Sequence, residues 1–144
     1  MNESSEALNK SVVAEVKPLR IFNKLTAHQS NTVNELLEII TVDQPGPGGA
    51  HHEYLCYWPE QNGRVNTHTI KFQKGGIADV GVNGLKNEAL LAIVKHRLES
   101  FQAGPFKCYE NDGALAAVNT ALINMHNRTK ARLARGVEGK TDKP

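Results

Sequence analysis

Cysteine is scarce in this chain: Cys56 and Cys108 are the two among 144 residues, and no CxxC spacing links them. They read as two buried free thiols of a reducing cytosol, with one disulfide as the alternative. Long apolar runs are also missing. The longest, residues 89–94, is far too short to span a bilayer. The opening MNESSEALNKSVVAEVK lacks a basic start followed by an apolar stretch, so it does not read as a signal peptide. A soluble cytoplasmic protein is expected. No charge of one sign dominates either. The formal net charge is +2, which argues against the broad basic face of a general nucleic-acid coat.

The residue sets that carry catalysis are missing as well. Gly46, Gly48 and Gly49 resemble a phosphate-cradling loop in composition, but no GK[ST] follows them. Ser30 and Ser100 lack a nucleophile-elbow context, and no carboxylate pair stands out in the second half. His51 and His52 are adjacent, so on a strand they point to opposite faces, and no second pair sits at zinc spacing. His68, His96 and His126 are isolated. No enzyme, no resident metal and no cofactor is expected.

What is present divides the chain by hydrophobic period. Forty per cent hydrophobic and 22% charged residues are ordinary for a folded domain. Residues 1–30 are read as an N-terminal arm. Thr32 and Glu35 have capping-box spacing for a short helix, whereas residues 37–42 (LEIITV) are β-branched and read as a strand. The DQPGPGGA run at 43–50 must be loop. Residues 53–58 and 67–73 are strand-like and meet across Asn62-Gly63, the favoured pair for a two-residue hairpin turn. Residues 31–84 should thus form a small antiparallel sheet of three or four strands.

From residue 85 the period changes. Leu91, Val94, Leu98 and Phe101 recur at helical spacing, as do Leu115, Val118, Leu122 and Met125. Gly104-Pro105 separates the two runs. They predict an antiparallel helical hairpin over residues 85–136, with 137–144 as a tail and 31–136 as one folded unit. The class is α+β. The second helix should be about 39 Å long against about 24 Å for the first. Its overhang leaves apolar surface at Met125 and beyond that self-association would cover.

That overhang is basic. From residue 124 to 144 there are six Lys/Arg against two Asp/Glu. Arg128 and Arg132 lie four apart, with Arg135 following and no acid between His126 and Arg135. Like charges at i and i+4 repel by a few tenths of a kcal/mol, and two planar guanidinium groups match a phosphate or pyrophosphate. A solvated helix end complementing the C-terminal dipole is the plainer reading. A nucleic-acid-binding module using this basic helix is the functional alternative.

Several motifs of this chain occur together: PGPGGAHHEY, KFQKGGIADVGVNG, FQAGPF, CYEN and HNRTKARLARGVEG. In that combination, over roughly residues 37–139, the chain resembles the phage Thoeris anti-defence proteins of the first type. Their helical hairpin is shared with an anti-CBASS cyclic-nucleotide sponge. The resemblance implies a non-enzymatic sponge that sequesters cyclic ADP-ribose isomers such as glycocyclic ADP-ribose. Some relatives also hold cyclic di- or trinucleotides at separate sites. By motif, it implies that Phe101 stacks on adenine, that Asn111 hydrogen-bonds the ligand, and that Arg128 and Arg132 grip the pyrophosphate. Tyr109 stands where the family pattern often has Arg, and Gly113 where Leu is common. Phe101 also completes a hairpin seam, and Asn111 has the residue type of a helix cap.

Geometry adds one constraint. Asn111 and Arg128 are 17 residues apart, so on one straight helix they lie about 25 Å apart. A dinucleotide-sized ligand does not bridge that span. If both residues touch one ligand, they come from different chains, and the expected partner is a second copy, as a homodimer or a hexamer of such chains.

Overall fold

The computed structural model of the chain describes residues 23–30 and 36–141. The capping box at Thr32 and Glu35, and most of the expected arm, lie outside them. The chain divides into two units, Met1–Lys71 and Phe72–Pro144.

The first unit holds a four-stranded antiparallel sheet in the order β1-β2-β3-β4: β1 Lys24–Leu25, β2 Glu38–Thr41, β3 Glu53–Pro59 and β4 Val65–Lys71. The fourth strand is thus Lys24–Leu25, from the stretch read as arm. Leu55 stands opposite both Ile40 and Thr69, and Tyr57 opposite both Glu38 and Thr67. Directly paired residues share a face, so Ile40, Leu55 and Tyr57 gather on one side and are buried there, with Val42 and Val65 against them. Burying each of the three contributes about 1.5–3 kcal/mol. Glu38 is buried on the same face and is ion-paired with Lys24, whose Nζ lies 2.6 Å from Oε2. Burial, and then the Glu38 charge, pushes the Tyr57 phenol up to about 12.

The strand connections differ from expectation in one detail. The turn between β3 and β4 is not a two-residue loop centred on Asn62-Gly63. Gly63 N–H donates to Glu60 O (3.0 Å), and Glu60 N–H donates to Arg64 O (2.7 Å). That leaves a three-residue loop in which Gly63, at φ 84°, supplies the left-handed step that follows a type I turn. The Asn62 carboxamide oxygen then accepts from Arg64 N–H (2.9 Å), which replaces a donor to the ladder.

The PGPGG loop is closed rather than open. Asp43 accepts from the amides of His52 (2.9 Å) and Glu53 (3.2 Å), and its own carbonyl meets His51 Nδ1 at 2.7 Å. A single 3₁₀ turn, Pro47–Gly49, sits inside, clasped by Gly46 N–H donating to Ala50 O. Partial burial raises the Asp43 pKa, but the two amides and the nearby His51 together bring it below its ordinary value.

The second unit opens with a loop held by two side-chain amides. Gln73 Oε1 accepts from Asn83 N–H, and its Nε2 donates to Gly81 O. Asn83 binds Lys74 at both N–H and C=O, each at 2.8 Å. Inside the loop lies a one-turn helix, α1 (Ile77–Val80). The hairpin follows: α2 (Asn87–Ala103, 17 residues) and α3 (Tyr109–Ala134, 26 residues). No helix of the described residues is long and apolar enough to cross a membrane.

On α3 the half-buried positions are Asn111, Leu115, Val118, Asn119, Ala121, Leu122, Met125 and Thr129, ending at buried Arg132. On α2 they are residues 88–91, Lys95, Leu98 and the Phe101-Gln102 pair. Val94, expected in the seam, is 45% exposed. The stripe turns toward Lys95, whose alkyl stem can pack while its ammonium pairs with Glu99 at 3.5 Å. Among the described residues no apolar side chain of the hairpin is fully buried, and Ile93, Val94, Ile123 and Leu133 are exposed.

Candidate functional site

The hairpin places the four candidate ligand residues at its two ends. At the turn end, Gln102 ties the loop to both helices: its Oε1 accepts from Cys108 N–H (3.1 Å), and its Nε2 donates to Cys108 O (3.0 Å). Cys108 is the N-cap of α3, and its Sγ accepts from Asn111 N–H at 3.4 Å. The expectation of two buried thiols therefore needs correction. Cys108 is exposed, whereas Cys56 is half-buried and its thiol is pushed up by burial; both are free.

This clasp fixes an aromatic corner. Phe101, in the last turn of α2, is half-buried, and Phe106 in the loop is 73% exposed. Their rings meet edge to face, with centroids 6.4 Å apart and planes at 82°. Arg97 lies one helical turn before Phe101, and its Cζ sits 5.0 Å from the Phe101 ring centroid. Asn111 is half-buried, and its Nδ2 reaches Phe106 O at 3.5 Å. Phe101 and Asn111 therefore belong to one corner, linked through Phe106. Their amphipathic setting of flat ring, guanidinium and carboxamide suits a planar heteroaromatic group.

The other end of α3 is cationic, and its two arginines are used differently. Arg128 is exposed and has no hydrogen-bond or ion-pair partner among the described residues. Arg132 is only 5% exposed. Its Nε donates to Glu138 Oε2 (3.0 Å), and one terminal nitrogen donates to Val137 O (2.8 Å) and Lys140 O (2.9 Å). The surface placement expected for Arg132 is thus corrected: the side chain is wrapped by residues 137–140. The reason lies in the chain reversal after α3, where Gly136 at φ 71° turns the tail back over the helix end. Glu138 also meets Lys86 Nζ at 3.4 Å, and Gly139 O accepts from Ala78 N–H at 2.9 Å. Arg132 thereby anchors a junction of α3, the tail and α1.

The structure brings Phe101 and Asn111 together, and it sets Arg128 and Arg132 on adjoining turns. It does not bring the two pairs together within one chain. The helix between them is continuous, so about 25 Å separates Asn111 from Arg128. Arg97, Phe106 and Gln102 were not singled out in the sequence. The i, i+4 spacing of Arg97 and Phe101 was the one signal available, and it needs the helix to be meaningful. Among the described residues no group of three His, Cys, Asp or Glu could hold a metal ion. His51 instead braces the Asp43 loop.

No protein-family model matches the chain. A curated relative does match: 75 residues, 52% of this chain, are 43% identical to "Thoeris anti-defense 1" of Bacillus phage SBSphiJ7. The match takes in 53% of that relative, so the chain spans about half the length of the curated protein it is similar to, and the resemblance inferred from the motifs stands.

Proposed function

We propose that this protein is a phage anti-defence sponge that binds cyclic nucleotide immune signals, foremost cyclic ADP-ribose isomers, and sequesters them without cleavage. The name of the relative supports the anti-defence role. The ligand class rests above all on Arg128, an exposed guanidinium with no hydrogen-bond or ion-pair partner among the described residues, one turn before Arg132, which Glu138 engages. Phosphate is the partner that such a group fits best.

Phe101 would carry the adenine and Asn111 a polar edge of the ligand, with Arg128 of a second copy closing on the pyrophosphate. Arg132 would act mainly through the tail, and it would meet phosphate directly only by exchanging Glu138 for the ligand. A dimer of antiparallel α3 helices would supply both ends of the site. It would also cover Ile93, Val94 and Ile123, which a lone hairpin leaves in water. The nucleic-acid reading draws on the same basic end. Against it, Arg132 is buried and paired to Glu138, which withholds that guanidinium from a phosphate backbone.

The test is to incubate the protein with a panel of cyclic ADP-ribose isomers and cyclic di- and trinucleotides, desalt it, denature it by heat and weigh what is released. One or more ligands should return at unchanged mass and in full yield. Linearised or hydrolysed product that grows with protein and time would overturn the sponge reading.

A further inference from the structure

Arg97 is the candidate that neither the fold nor the proposed site explains. It is exposed on α2 and has no carboxylate partner among the described residues; its near neighbours Lys95 and Glu99 pair with each other. What it does touch is the face of Phe101, at 5.0 Å from Cζ to ring centroid. We infer that Arg97 is a further ligand-contacting residue, and that its guanidinium and the Phe101 ring are the two walls of a nucleobase clamp.

The inference rests on the reading that a nucleotide binds at this end of the hairpin. Its own grounds are steric and electronic. A planar base stacked between two flat groups needs about 3.5 Å on each side, roughly 7 Å between the walls. The observed 5.0 Å is a closed clamp that must open by about 2 Å. Arg97 can make that movement because nothing but the ring holds its tip. Phe101 is held, because its ring is half-buried and in T-shaped contact with Phe106.

Opening exchanges one stacking contact for two, since the base covers Phe101 and the guanidinium then covers the base. The cation also moves over a π-system that is bonded to a phosphorylated ribose, so its charge favours an anionic nucleotide over a free base. A phosphate alone would leave Phe101 bare and use none of this geometry. The clamp therefore selects the base, while Arg128 selects the phosphate.

The experiment compares the full-length wild type with Arg97→Ala, Arg97→Lys and Arg97→Gln, using cyclic ADP-ribose isomers as probes. Affinity is measured by calorimetry, and base stacking by the loss of adenine absorbance on binding. Arg97→Ala should weaken binding about tenfold or more and reduce the absorbance change. Arg97→Lys keeps the charge without the flat face and should be nearly as weak. Arg97→Gln keeps a planar group without the charge and should fall between. Wild-type affinity in Arg97→Ala, full affinity in Arg97→Lys, or an unaltered absorbance change in Arg97→Ala would each overturn the clamp alone. A wild type that binds none of the probes would overturn the proposed function, and the clamp with it.

Discussion

Two arginines one helical turn apart show how far a residue's role depends on what the chain does next. Arg128 projects into water, whereas Arg132 is buried by a tail that folds back to meet it. Truncating Arg132 to alanine removes the bond to Glu138 and the guanidinium donor to the carbonyls of Val137 and Lys140, of which Val137 O keeps the Lys140 N–H. That should cost about 1–3 kcal/mol and speed hydrogen exchange at the amides of Val137 and Lys140. Arg128→Ala should change stability by less than about 0.5 kcal/mol while lowering ligand affinity. Denaturant titration together with calorimetry separates the two, and equal effects on stability would contradict the division of roles. Tyr57 offers a second test at this scale. Its folded pKa is raised to about 12 by burial and by Glu38, above the ordinary value near 10. A raised folded pKa contributes stability that is whole below pH 10 and is lost as pH climbs towards 12. The denaturation midpoint should therefore fall between pH 10 and 12, and Tyr57→Phe should remove that part of the fall.

At the scale of elements, two loops depend on single contacts. The loop after β2 is organised by the Asp43 carboxylate, whose acceptor role requires ionisation. Its pKa is lowered on folding, so its contribution is present above the ordinary carboxylate value and is lost as pH falls through the lower, folded one. An NMR pH titration should show the His52 and Glu53 amides shifting together with a midpoint below about 3.9, and Asp43→Asn should abolish that transition. The junction at α1 depends on Gly76. A Cβ there would run into the carbonyl oxygen of Gly139 and lie 2.8 Å from Lys140 Cα, both backbone atoms that cannot step aside. Gly76→Ala should detach residues 137–140 from α1 and raise their exchange rates as Arg132→Ala does, although it touches neither α3 nor its charges.

For the whole molecule, the decisive fact is where apolar burial ends. Ile40, Leu55 and Tyr57 are fully buried in the first unit, whereas no apolar side chain of the hairpin is, among the described residues. A two-helix hairpin with exposed Ile93, Val94, Ile123 and Leu133 gains little from its own packing. If a second copy covers it and shares the site, two defective proteins should repair each other. One carries Phe101→Ala with Asn111→Ala, and the other Arg128→Ala, with Arg132 kept so that the tail stays in place. Each homodimer should fail to bind, and the isolated mixed dimer should show one tight site where the wild type shows two. A mixed dimer that binds nothing, while both parents fold and dimerise, would place the pocket within one chain.

Period and turn chemistry carried much of this fold in the sequence. The heptad-like recurrence from Leu115 to Met125, the stop at Gly136 and the alternation through β3 are local properties, and local sterics and hydrophobic spacing suffice to read them. The aromatic and arginine motifs were legible for the same reason, as residue types at fixed helical offsets. Three things were not. Lys24–Leu25 is too short to carry a period, and its pairing with β2 depends on Ile39 and Ile40, far along the chain. The three-residue hairpin loop was decided by the register of β3 against β4, which sets how many residues are left to turn. Arg132 was read as a surface cation because its three methylenes and guanidinium look the same in sequence whether water or a folded tail surrounds them. Burial is a property of the neighbours that tertiary structure brings in, and here Glu138, Val137 and Lys140 determined it.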